Sequence, residues 1–478
     1  MPDTLLQPLA EIVGAAHVLT DADARAPYEE DATGTYRSQA RAVVRPADTA
    51  QVAAVMRLAH ETGTPVVPLG GNTGVSGGAW AGAEQGAILL SLERLSRIRE
   101  IRPGARLAIV EAGVVLETLH RAVADHGLIF PLVFGARGSC TIGGNLATNA
   151  GGSNVLRYGN TRALTLGVEV VTPDGRVMDL MTELHKDNTG YDLKDLYIGA
   201  EGTLGVITAA VLKLAPAPRA YATAMLAVPR LSAALDLLNR LQATTGGAVE
   251  AFEYMPGAYM DALAERFPDT RPVFGETHPI NVLVEIGATA PRDAAPGPDG
   301  RLPVTAVLED ALGEMLEAGQ LSDAVIAQTE AQRREIWARR EAAYEVSVMR
   351  RPVVNNDIAL PLDKVEPFLD RMAETLPGIA PGAEDITVGH LGDGNLHYCV
   401  WLDRCATPGD PALYERVVET VEDAVQDLGG TFSAEHGIGH TKRGTMARRK
   451  DPAALEVMRA IKAALDPKGI MNPGKVLP

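Results

Sequence analysis

Short apolar runs separated by turn-forming residues fill the chain from about Pro46 to Leu214. Segments such as AILLSL (87–92), LAIVEAG (107–113) and LGVEVVTPDG (166–175) have the length and composition of strands. Between Thr49 and Gly63 the apolar residues instead recur with helical spacing, and a glycine ends the pattern. This mixture predicts a fold of the α+β class.

A change of pattern near residue 217 predicts a domain boundary. The prolines of APAPRA (215–220) interrupt the strand-like runs. Beyond them, amphipathic segments such as LSAALDLLNRLQATTGG (231–247) alternate with apolar ones such as INVLVEIG (280–287). Because 478 residues are also too many for one ordinary core, we expect more than one domain.

Composition and charge exclude several classes of protein. The hydrophobic share of 46% is typical of a globular chain, and no run approaches the roughly 18 apolar residues of a membrane span. A formal charge of -17 argues against binding to nucleic acid, which requires a basic surface. Three cysteines are too few for a disulfide framework or a thiolate metal site. No secretory signal is recognisable at the N-terminus, so we expect a cytoplasmic protein.

Two glycine-rich segments are candidate anion-binding loops. They are PVVPLGGNTGVSGG (65–78) and GSCTIGGNLATNAGG (138–152). Closely spaced glycines let backbone N–H groups approach a pyrophosphate, although either segment alone is equally consistent with a tight loop. Neither matches the nicotinamide fingerprint or a P-loop, because the required strand, spacing and Gly-Lys-Ser/Thr are missing. A different dinucleotide-binding site is indicated.

Two histidines in HLGDGNLH (390–397) form a candidate metal site. As a hairpin closed by residues 392–395, the segment places His390 opposite His397, with Cβ atoms about 5 Å apart. Glu435 of SAEHGIG (433–439) is the third candidate ligand, because imidazole and carboxylate together suit Zn²⁺. Any one of these histidines, taken alone, is better explained as a structural residue.

Six segments together resemble a known family. They are PLGGNTGVSGG, GARGSCTIGGNLATNAGG, YIGAEGTLGVIT, GHLGDGNLHY, SAEHGIG and DPKGIMNPGKVLP, and they cover nearly the whole chain. The chain resembles the vanillyl-alcohol oxidase type of FAD-dependent oxidoreductases, in the branch of D-lactate, glycolate and D-2-hydroxyglutarate dehydrogenases. The resemblance implies an FAD-binding domain (1–217), an α+β substrate-binding cap (218–425) and a segment (426–478) that returns to the FAD domain.

The resemblance also implies which residues bind FAD. None of the residues in the first loop is a histidine, where covalent members usually carry one, so we expect FAD to be bound non-covalently. The implied FAD-binding residues are Pro68, Gly70, Gly71, Asn72, Thr73, Gly74, Gly138, Ser139, Thr141, Gly144, Asn145, Thr148, Gly152, Gly202, Gly205, Ile207 and Asn472.

The chemistry implied by the resemblance is oxidation of a D-2-hydroxy acid to a 2-oxo acid. His390, His397 and Glu435 would hold a divalent metal, with zinc as the expected ion, and the metal would bind the substrate's oxygens. His436 is the candidate base for the hydroxyl proton, and the alternative is that it only hydrogen-bonds behind the metal ligands. The flavin would accept the hydride from C2.

Substrate choice is predicted from one match and three departures. Arg340 stands where hydroxyglutarate dehydrogenases carry a substrate-binding arginine. Those enzymes usually have threonine, lysine and asparagine where this chain has Tyr344, Asn355 and Cys399. Losing a cation and an amide disfavours a second carboxylate, so we expect a D-lactate-like or bulkier monocarboxylate. D-2-hydroxyglutarate and D-malate are the alternative.

Two other classes of function stay open at this point. A zinc hydrolase would use the same His, His and Glu ligands, but it leaves the glycine-rich loops unexplained. A non-catalytic flavin subunit of a redox complex would keep the loops and not use the metal. For an enzyme, the electron acceptor could be an electron-transfer flavoprotein, a quinone or a cytochrome, and a homodimer is expected.

Overall fold

The computed structural model of the chain describes residues 5–82, 86–298 and 300–478. The helices are α1 Leu6–Val13, α2 Ala22–Glu29, α3 Thr49–Thr62, α4 Leu116–Ala124, α5 Ile142–Ala147, α6 Val155–Tyr158, α7 Lys194–Tyr197, α8 Leu231–Thr245, α9 Gly257–Arg266, α10 Pro291–Ala294, α11 Pro303–Glu317, α12 Glu330–Glu341, α13 Ala343–Ser347, α14 Val365–Ile379, α15 Pro411–Asp427, α16 Arg443–Arg449 and α17 Pro452–Leu465. Within the described ranges, no helix is both long enough and apolar enough to cross a membrane.

The strands follow the same chain-order numbering. They are β1 Val18–Leu19, β2 Ala42–Val44, β3 Val66–Leu69, β4 Ile88–Ser91, β5 Ile98–Arg102, β6 Leu107–Glu111, β7 Leu128–Ile129, β8 Thr165–Val171, β9 Val177–Leu180, β10 Val206–Lys213, β11 Ala215–Pro216, β12 Ala220–Ala227, β13 Val249–Pro256, β14 Ile280–Ala288, β15 Asp323–Ile326, β16 Val353–Ala359, β17 Glu384–Asp385, β18 Val388–His390 and β19 Asn395–Trp401.

The chain divides into two compact units. Unit 1 comprises Met1–Gly151, Gly159–Pro216 and Glu435–Pro478, and unit 2 comprises Gly152–Tyr158 and Ala217–Ala434. These ranges differ from the expected domains in two places. Residues 152–158 group with unit 2, because Arg157 and Tyr158 bind Glu250 of that unit. Residues 426–434 also group with unit 2, where Thr431 exchanges backbone hydrogen bonds with Ala359.

Unit 1 contains two larger sheets. A four-stranded sheet has the order β1-β2-β4-β3, and a five-stranded sheet has the order β5-β6-β10-β8-β9. The predicted helix α3 is present: Asp48 caps its start by accepting from the Gln51 N–H, and Gly63 ends it in the left-handed region with φ 67°. Its buried residues Val52, Val55 and Met56 pack in the core beside β2 and β4.

The C-terminal segment of unit 1 continues the edge of the four-stranded sheet. Val66 donates its N–H to the Ile470 carbonyl, and its own carbonyl accepts from Asn472 N–H. Ile470 and Met471 are buried in the same core as α3. The stretch after α17 is therefore fixed next to β3, the strand that leads into the first glycine-rich loop.

Unit 2 is built on one eight-stranded antiparallel sheet. Its order is β15-β12-β14-β13-β18-β19-β16. The eighth strand, β17, also pairs with β19. One face packs against α8, α11, α14 and α15 through residues such as Leu237, Leu308 and Phe368. The other face packs against α9, α12 and α13 through residues such as Tyr259 and Ile336. Both faces are therefore covered, which explains the largely apolar strands.

A buried ion pair ties the short helix α6 to the sheet of unit 2. Glu250 on β13 is 2% exposed and accepts hydrogen bonds from Arg157, Tyr158 (2.9 Å) and Asn154 (2.8 Å). Arg157 also donates to the Gly287 carbonyl on β14 at 2.7 Å. Burial raises the pKa of Glu250, and the charge of Arg157 acts against that rise. This cluster holds the segment that follows the second glycine-rich loop.

Candidate functional site

The two glycine-rich loops lie against each other in unit 1. A Cβ added to Gly71 would lie 2.1 Å from the Ser139 carbonyl oxygen, and one added to Gly70 would lie 2.6 Å from Thr141 Oγ1. At Gly71 the close atom is backbone, so this position requires glycine, whereas at Gly70 it is the end of the Thr141 side chain. The two loops therefore approach each other most closely at Gly71 and Ser139.

The chemistry of these loops fits an anionic cofactor. The buried Thr141 Oγ1 has no hydrogen-bond partner among the described residues, and Thr141 is 6% exposed. A buried hydroxyl without a partner is costly unless a ligand supplies one. Asn72 adopts a positive φ of 52° and donates its Nδ2 to the Glu30 carbonyl at 2.7 Å. The Thr141 hydroxyl is thus an available polar group for a phosphate.

The rest of the predicted FAD set falls on several elements. Thr148 donates to the Gly144 carbonyl at 3.1 Å, and buried Asn145 lies 3.6 Å from Cys140 Sγ. Ile207 is buried on β10, and Gly205 precedes that strand. Gly152 is the one predicted residue that groups with unit 2. Of the other predicted positions, Thr73 and Gly74 continue the first loop, and Gly138 and Ser139 open the second.

A third loop in unit 1 connects the predicted FAD residues to the SAEHGIG segment. Glu201 adopts a positive φ of 52°, and its carboxylate accepts from the N–H groups of Ile438 and Gly439, both at 2.7 Å. Burial raises the pKa of Glu201, and these two hydrogen bonds act against that rise. The Glu201 carbonyl and the Gly78 carbonyl both accept from Asn472 Nδ2 at 2.7 and 2.9 Å. Gly202, next in sequence, lies against the Pro68 ring.

The register expected for the histidine hairpin was wrong. His390 pairs with Asn395, and His397 pairs with Val388, so the loop is residues 391–394 and the histidines are not directly opposed. The N–H groups of Asp393 and Gly394 both donate to the His390 carbonyl, and the loop begins and ends one residue earlier than expected. The rings still meet diagonally, with centroids 5.4 Å apart, because diagonal neighbours on one face lie within reach.

Five ionisable side chains share one face of the unit 2 sheet. They form a row, the polar row, across strands β14, β13, β18, β19 and β16: Glu285, Glu253, His390, His397 and Asp357. Strand residues alternate between faces. Accordingly, Leu396 and Tyr398 pack in the core on the opposite face, while Cys399 and Trp401 follow His397 on this one.

Glu253 is the second residue of the polar row, between Glu285 and His390. It is 0% exposed, its Oε2 accepts from Arg340 Nε at 2.7 Å, and His390 Nδ1 lies 2.9 Å from it. Burial alone would raise the pKa of Glu253, but the electrostatic interactions and hydrogen bonds with His390 and Arg340 outweigh that effect and lower the pKa. Arg340 Nη2 lies 3.5 Å from His390 Nε2. The predicted substrate arginine and the first predicted metal ligand are therefore neighbours.

Asp357 occupies the other end of the polar row. It is 0% exposed, pairs across the strands with His397, and lies 3.8 Å from His397 Nδ1. Its carboxylate accepts from Asn395 Nδ2 at 3.0 Å and from the Ala434 N–H at 3.1 Å. Ala434 is the last residue of unit 2, and Glu435 and His436 follow it as the first residues of the closing segment of unit 1.

The three departures from the hydroxyglutarate pattern have different environments. Asn355 and Cys399 are cross-strand partners beside His397, with Cys399 Sγ 3.5 Å from Asn355 Oδ1. Burial raises the pKa of Cys399 to about 12, so it is a neutral thiol. Tyr344 on α13 is 57% exposed. Asn355 and Cys399 therefore extend the polar row, whereas Tyr344 does not form part of the buried sheet face.

Two segments of the chain match known protein families. Residues 40–181 match the FAD binding domain family, and residues 217–476 match the C-terminal domain of FAD linked oxidases. The chain belongs to the FAD-linked oxidase family. Membership confirms the predicted FAD-dependent oxidoreductase class and the presence of a flavin-binding domain.

Full-length relatives of this FAD-linked oxidase are dehydrogenases. A mitochondrial D-2-hydroxyglutarate dehydrogenase from Bos taurus is 38% identical over 98% of this chain and 82% of its own length. A D-2-hydroxyglutarate dehydrogenase from Xanthomonas citri pv. viticola is 34% identical over 100% of this chain and 97% of its own. The predicted branch of the family is therefore confirmed, and the chain is an FAD-dependent dehydrogenase of that branch.

A solved structure confirms the predicted fold class. p-Cresol methylhydroxylase with substrate bound has a TM-score of 0.73 to this FAD-linked oxidase, covering 98% of this chain and 96% of its own, at 16% identity. At that identity the likeness concerns the fold alone. The mixed helix and sheet content and the vanillyl-alcohol oxidase type of architecture are as expected.

Sequence reasoning missed three acids: Glu253 and Asp357, both buried in unit 2, and half-buried Glu201 in unit 1. Their partners are remote in sequence; Glu253 and His390, for example, are 137 residues apart. A signal was nevertheless present. Glu253 and Asp357 stand inside the apolar strands VEAFEYMP and VVNNDIA, and a charged residue is rarely buried in a strand unless it is paired.

Proposed function

We propose that this FAD-linked oxidase oxidises a D-2-hydroxy acid to the corresponding 2-oxo acid. The observation that carries the proposal is that Arg340 on α12 lies next to buried His390, whose ring meets that of half-buried His397 on one sheet face, in a chain whose full-length relatives are named for a D-2-hydroxy acid. A guanidinium suits a carboxylate, and two imidazoles suit a metal that holds the adjacent hydroxyl. Together they match the two functional groups of an α-hydroxy acid.

FAD is proposed to bind non-covalently in the two glycine-rich loops. Support comes from the close approach of Gly71 to Ser139 and from the buried Thr141 hydroxyl without a protein partner. Asn72 and Thr73 stand in the first loop, and neither side chain forms a bond to flavin of the kind that histidine does. Bound FAD would supply the hydride acceptor.

A divalent metal, with zinc as the expected ion, is proposed to bind His390, His397 and Glu435. Support comes from the ring centroids of the two histidines, 5.4 Å apart, and from the position of Glu435 directly after Ala434, whose N–H is held by Asp357. Such an ion would lower the pKa of a bound hydroxyl. Asp357 and Glu253 would orient the two histidines from behind.

His436 is proposed as the base that takes the hydroxyl proton. An imidazole titrates near neutrality, and His436 is adjacent in sequence to the proposed ligand Glu435. Gly437, Ile438 and Gly439 follow directly, and Glu201 fixes the last two through their N–H groups. The segment that carries His436 is thus held in a defined conformation on its C-terminal side.

The substrate is proposed to be a D-lactate-like or bulkier monocarboxylate, bound through Arg340. Near His397 the chain offers the neutral pair Asn355 and Cys399, where hydroxyglutarate enzymes usually carry a lysine and an asparagine. The second candidate is D-2-hydroxyglutarate, with D-malate beside it, and the names of the full-length relatives favour this choice. An electron-transfer flavoprotein, a quinone or a cytochrome is proposed as the acceptor, with a homodimer as the assembly.

Turnover with an artificial acceptor dye tests this function. Initial rates would be compared for D-lactate, longer D-2-hydroxymonoacids, D-malate and D-2-hydroxyglutarate, with each L-enantiomer as the matched control. The proposal predicts that kcat/KM is highest for a D-monoacid and at least tenfold lower for its L-form. A preference for D-2-hydroxyglutarate would overturn the monoacid assignment, and no turnover of any member would favour a non-catalytic flavin subunit.

A further inference from the structure

We propose that Glu253 is a positioning residue that orients both His390 and Arg340 in the polar row. The inference rests on the proposed function, in which His390 holds a metal and Arg340 binds the substrate carboxylate. It adds a residue that touches neither substrate nor flavin, and it predicts that metal binding and substrate binding share one structural support.

The backbone brings Glu253 and His390 together. They are directly paired residues on the antiparallel strands β13 and β18, so their side chains leave the sheet on the same side. His390 Nδ1 lies 2.9 Å from the Glu253 carboxylate. A carboxylate only accepts, so this bond places the imidazole proton on Nδ1 and leaves Nε2 as the acceptor nitrogen, which faces Arg340 Nη2 at 3.5 Å and would exchange that contact for a metal.

Helix α12 brings Arg340 to the same carboxylate. Arg340 is 8% exposed, and its Nε donates to Glu253 Oε2 at 2.7 Å. With Nε engaged, the guanidinium plane is fixed and Nη2 lies on the side of His390 Nε2, 3.5 Å away. A carboxylate bound by Arg340 would therefore sit beside the metal-binding nitrogen, which is the arrangement that an α-hydroxy acid requires.

Charge gives Glu253 a second effect. Arg340 and a metal ion on His390 Nε2 would be two cations separated by a short distance in a buried site. A carboxylate in contact with both groups offsets their repulsion, and this effect is large where solvent does not screen it. Removing the charge at position 253 would weaken metal binding even if the histidine kept its orientation.

Unit 2 contains a natural control for Glu253. Glu285 on the next strand, β14, is 3% exposed and binds Arg333, which lies one heptad before Arg340 on the same helix. Glu285 also accepts from Trp337 Nε1 at 2.8 Å and Thr223 Oγ1 at 2.6 Å, and none of its hydrogen-bond partners in the described part of the chain is a histidine. Replacing Glu285 removes a buried carboxylate of equal size from the same sheet face without touching His390.

The experiment compares Glu253→Gln with Glu285→Gln in the flavin-loaded protein. Zinc affinity is measured by competition with a fluorescent chelator, and KM for the best hydroxy acid is measured in parallel. We expect Glu253→Gln to weaken zinc binding about 10- to 100-fold and to raise KM, with an unchanged flavin spectrum. Glu285→Gln should bind zinc within about twofold of wild type, since the orientation of His390 is unaltered.

Equal zinc affinity in wild type and Glu253→Gln would overturn the inference while leaving the proposed function intact. Wild type that binds no divalent metal would instead overturn the metal assignment, and the inference with it. If Glu253→Gln fails to fold, Glu253→Asp is the variant to measure, because it keeps the negative charge on a side chain shorter by one methylene group. It should also bind zinc more weakly than wild type, and wild-type affinity in Glu253→Asp would equally contradict the inference.

Discussion

At the scale of single residues, two arginines of unit 2 each form an ion pair with a buried glutamate of the sheet. Arg333 and Arg340, seven positions apart on α12, each meet a carboxylate on a neighbouring strand of the sheet. Seven residues are nearly two helical turns, so both side chains leave the helix on one face. Of these two carboxylates, Glu253 is also in contact with a histidine, and this contact separates the proposed positioning residue from Glu285.

The close packing at Gly71 predicts that a larger residue there would impair flavin binding. A Cβ at this position would collide with the Ser139 carbonyl at 2.1 Å, and that oxygen belongs to backbone that cannot rotate away. We expect Gly71→Ala to force the two loops apart and to yield protein largely free of FAD. The flavin-to-protein absorbance ratio measures this, and Gly104→Ala, in the turn between β5 and β6 with no atom within 4 Å and no positive φ, tests the same change outside the loops.

The three cysteines should be unreactive in the folded protein. Burial raises the pKa of Cys140 to about 11 and that of Cys399 to about 12, and Cys405 is also buried. Because only the thiolate reacts, about one thiol in a thousand or fewer at these two positions is competent at pH 8. Titration with a thiol reagent should find none before unfolding and three afterwards, and fast reaction of Cys399 in native protein would contradict its burial.

Individual elements were predictable where the local pattern determines them. Helix α3 has a capping aspartate, helical apolar spacing and a terminal glycine, and all three are local features. The histidine hairpin shows the limit. Glycines at 392 and 394 allow more than one turn, and the observed register also depends on the Gly392 N–H donating to Phe252 on β13, 140 positions earlier.

The ion pair between Arg157 and Glu250, which fixes helix α6, should contribute to the free energy of unfolding. Glu250→Ala would leave the Arg157 side chain, which is 15% exposed, without its carboxylate partner. Removing one partner of a buried ion pair typically costs about 3–5 kcal/mol of unfolding free energy. Urea denaturation followed by circular dichroism measures the loss. Glu314→Ala removes a carboxylate that is 64% exposed and paired with Arg240, so it should cost less than about 1 kcal/mol.

At the scale of the whole molecule, the family could be recognised from the sequence, but the acidic residues that contact the candidate site residues could not be predicted. The glycine-rich loops and the segments around His390, His397 and Glu435 are contiguous motifs, so they can be recognised without a structure. Glu201, Glu253 and Asp357 act through partners far along the chain, and only strand order and helix placement bring those partners together. Residues 152–158 show the same limit for unit boundaries.

In the proposed function, a D-2-hydroxy acid reduces the flavin of this protein with the help of a metal. Flavin absorbance under anaerobic conditions tests this, measured after adding a D-2-hydroxy acid, before chelation, after chelation and after zinc is restored. We expect bleaching that chelation abolishes and zinc recovers, with no bleaching by the L-acid. Bleaching that is unchanged by complete removal of metal would contradict the role assigned to His390, His397 and Glu435.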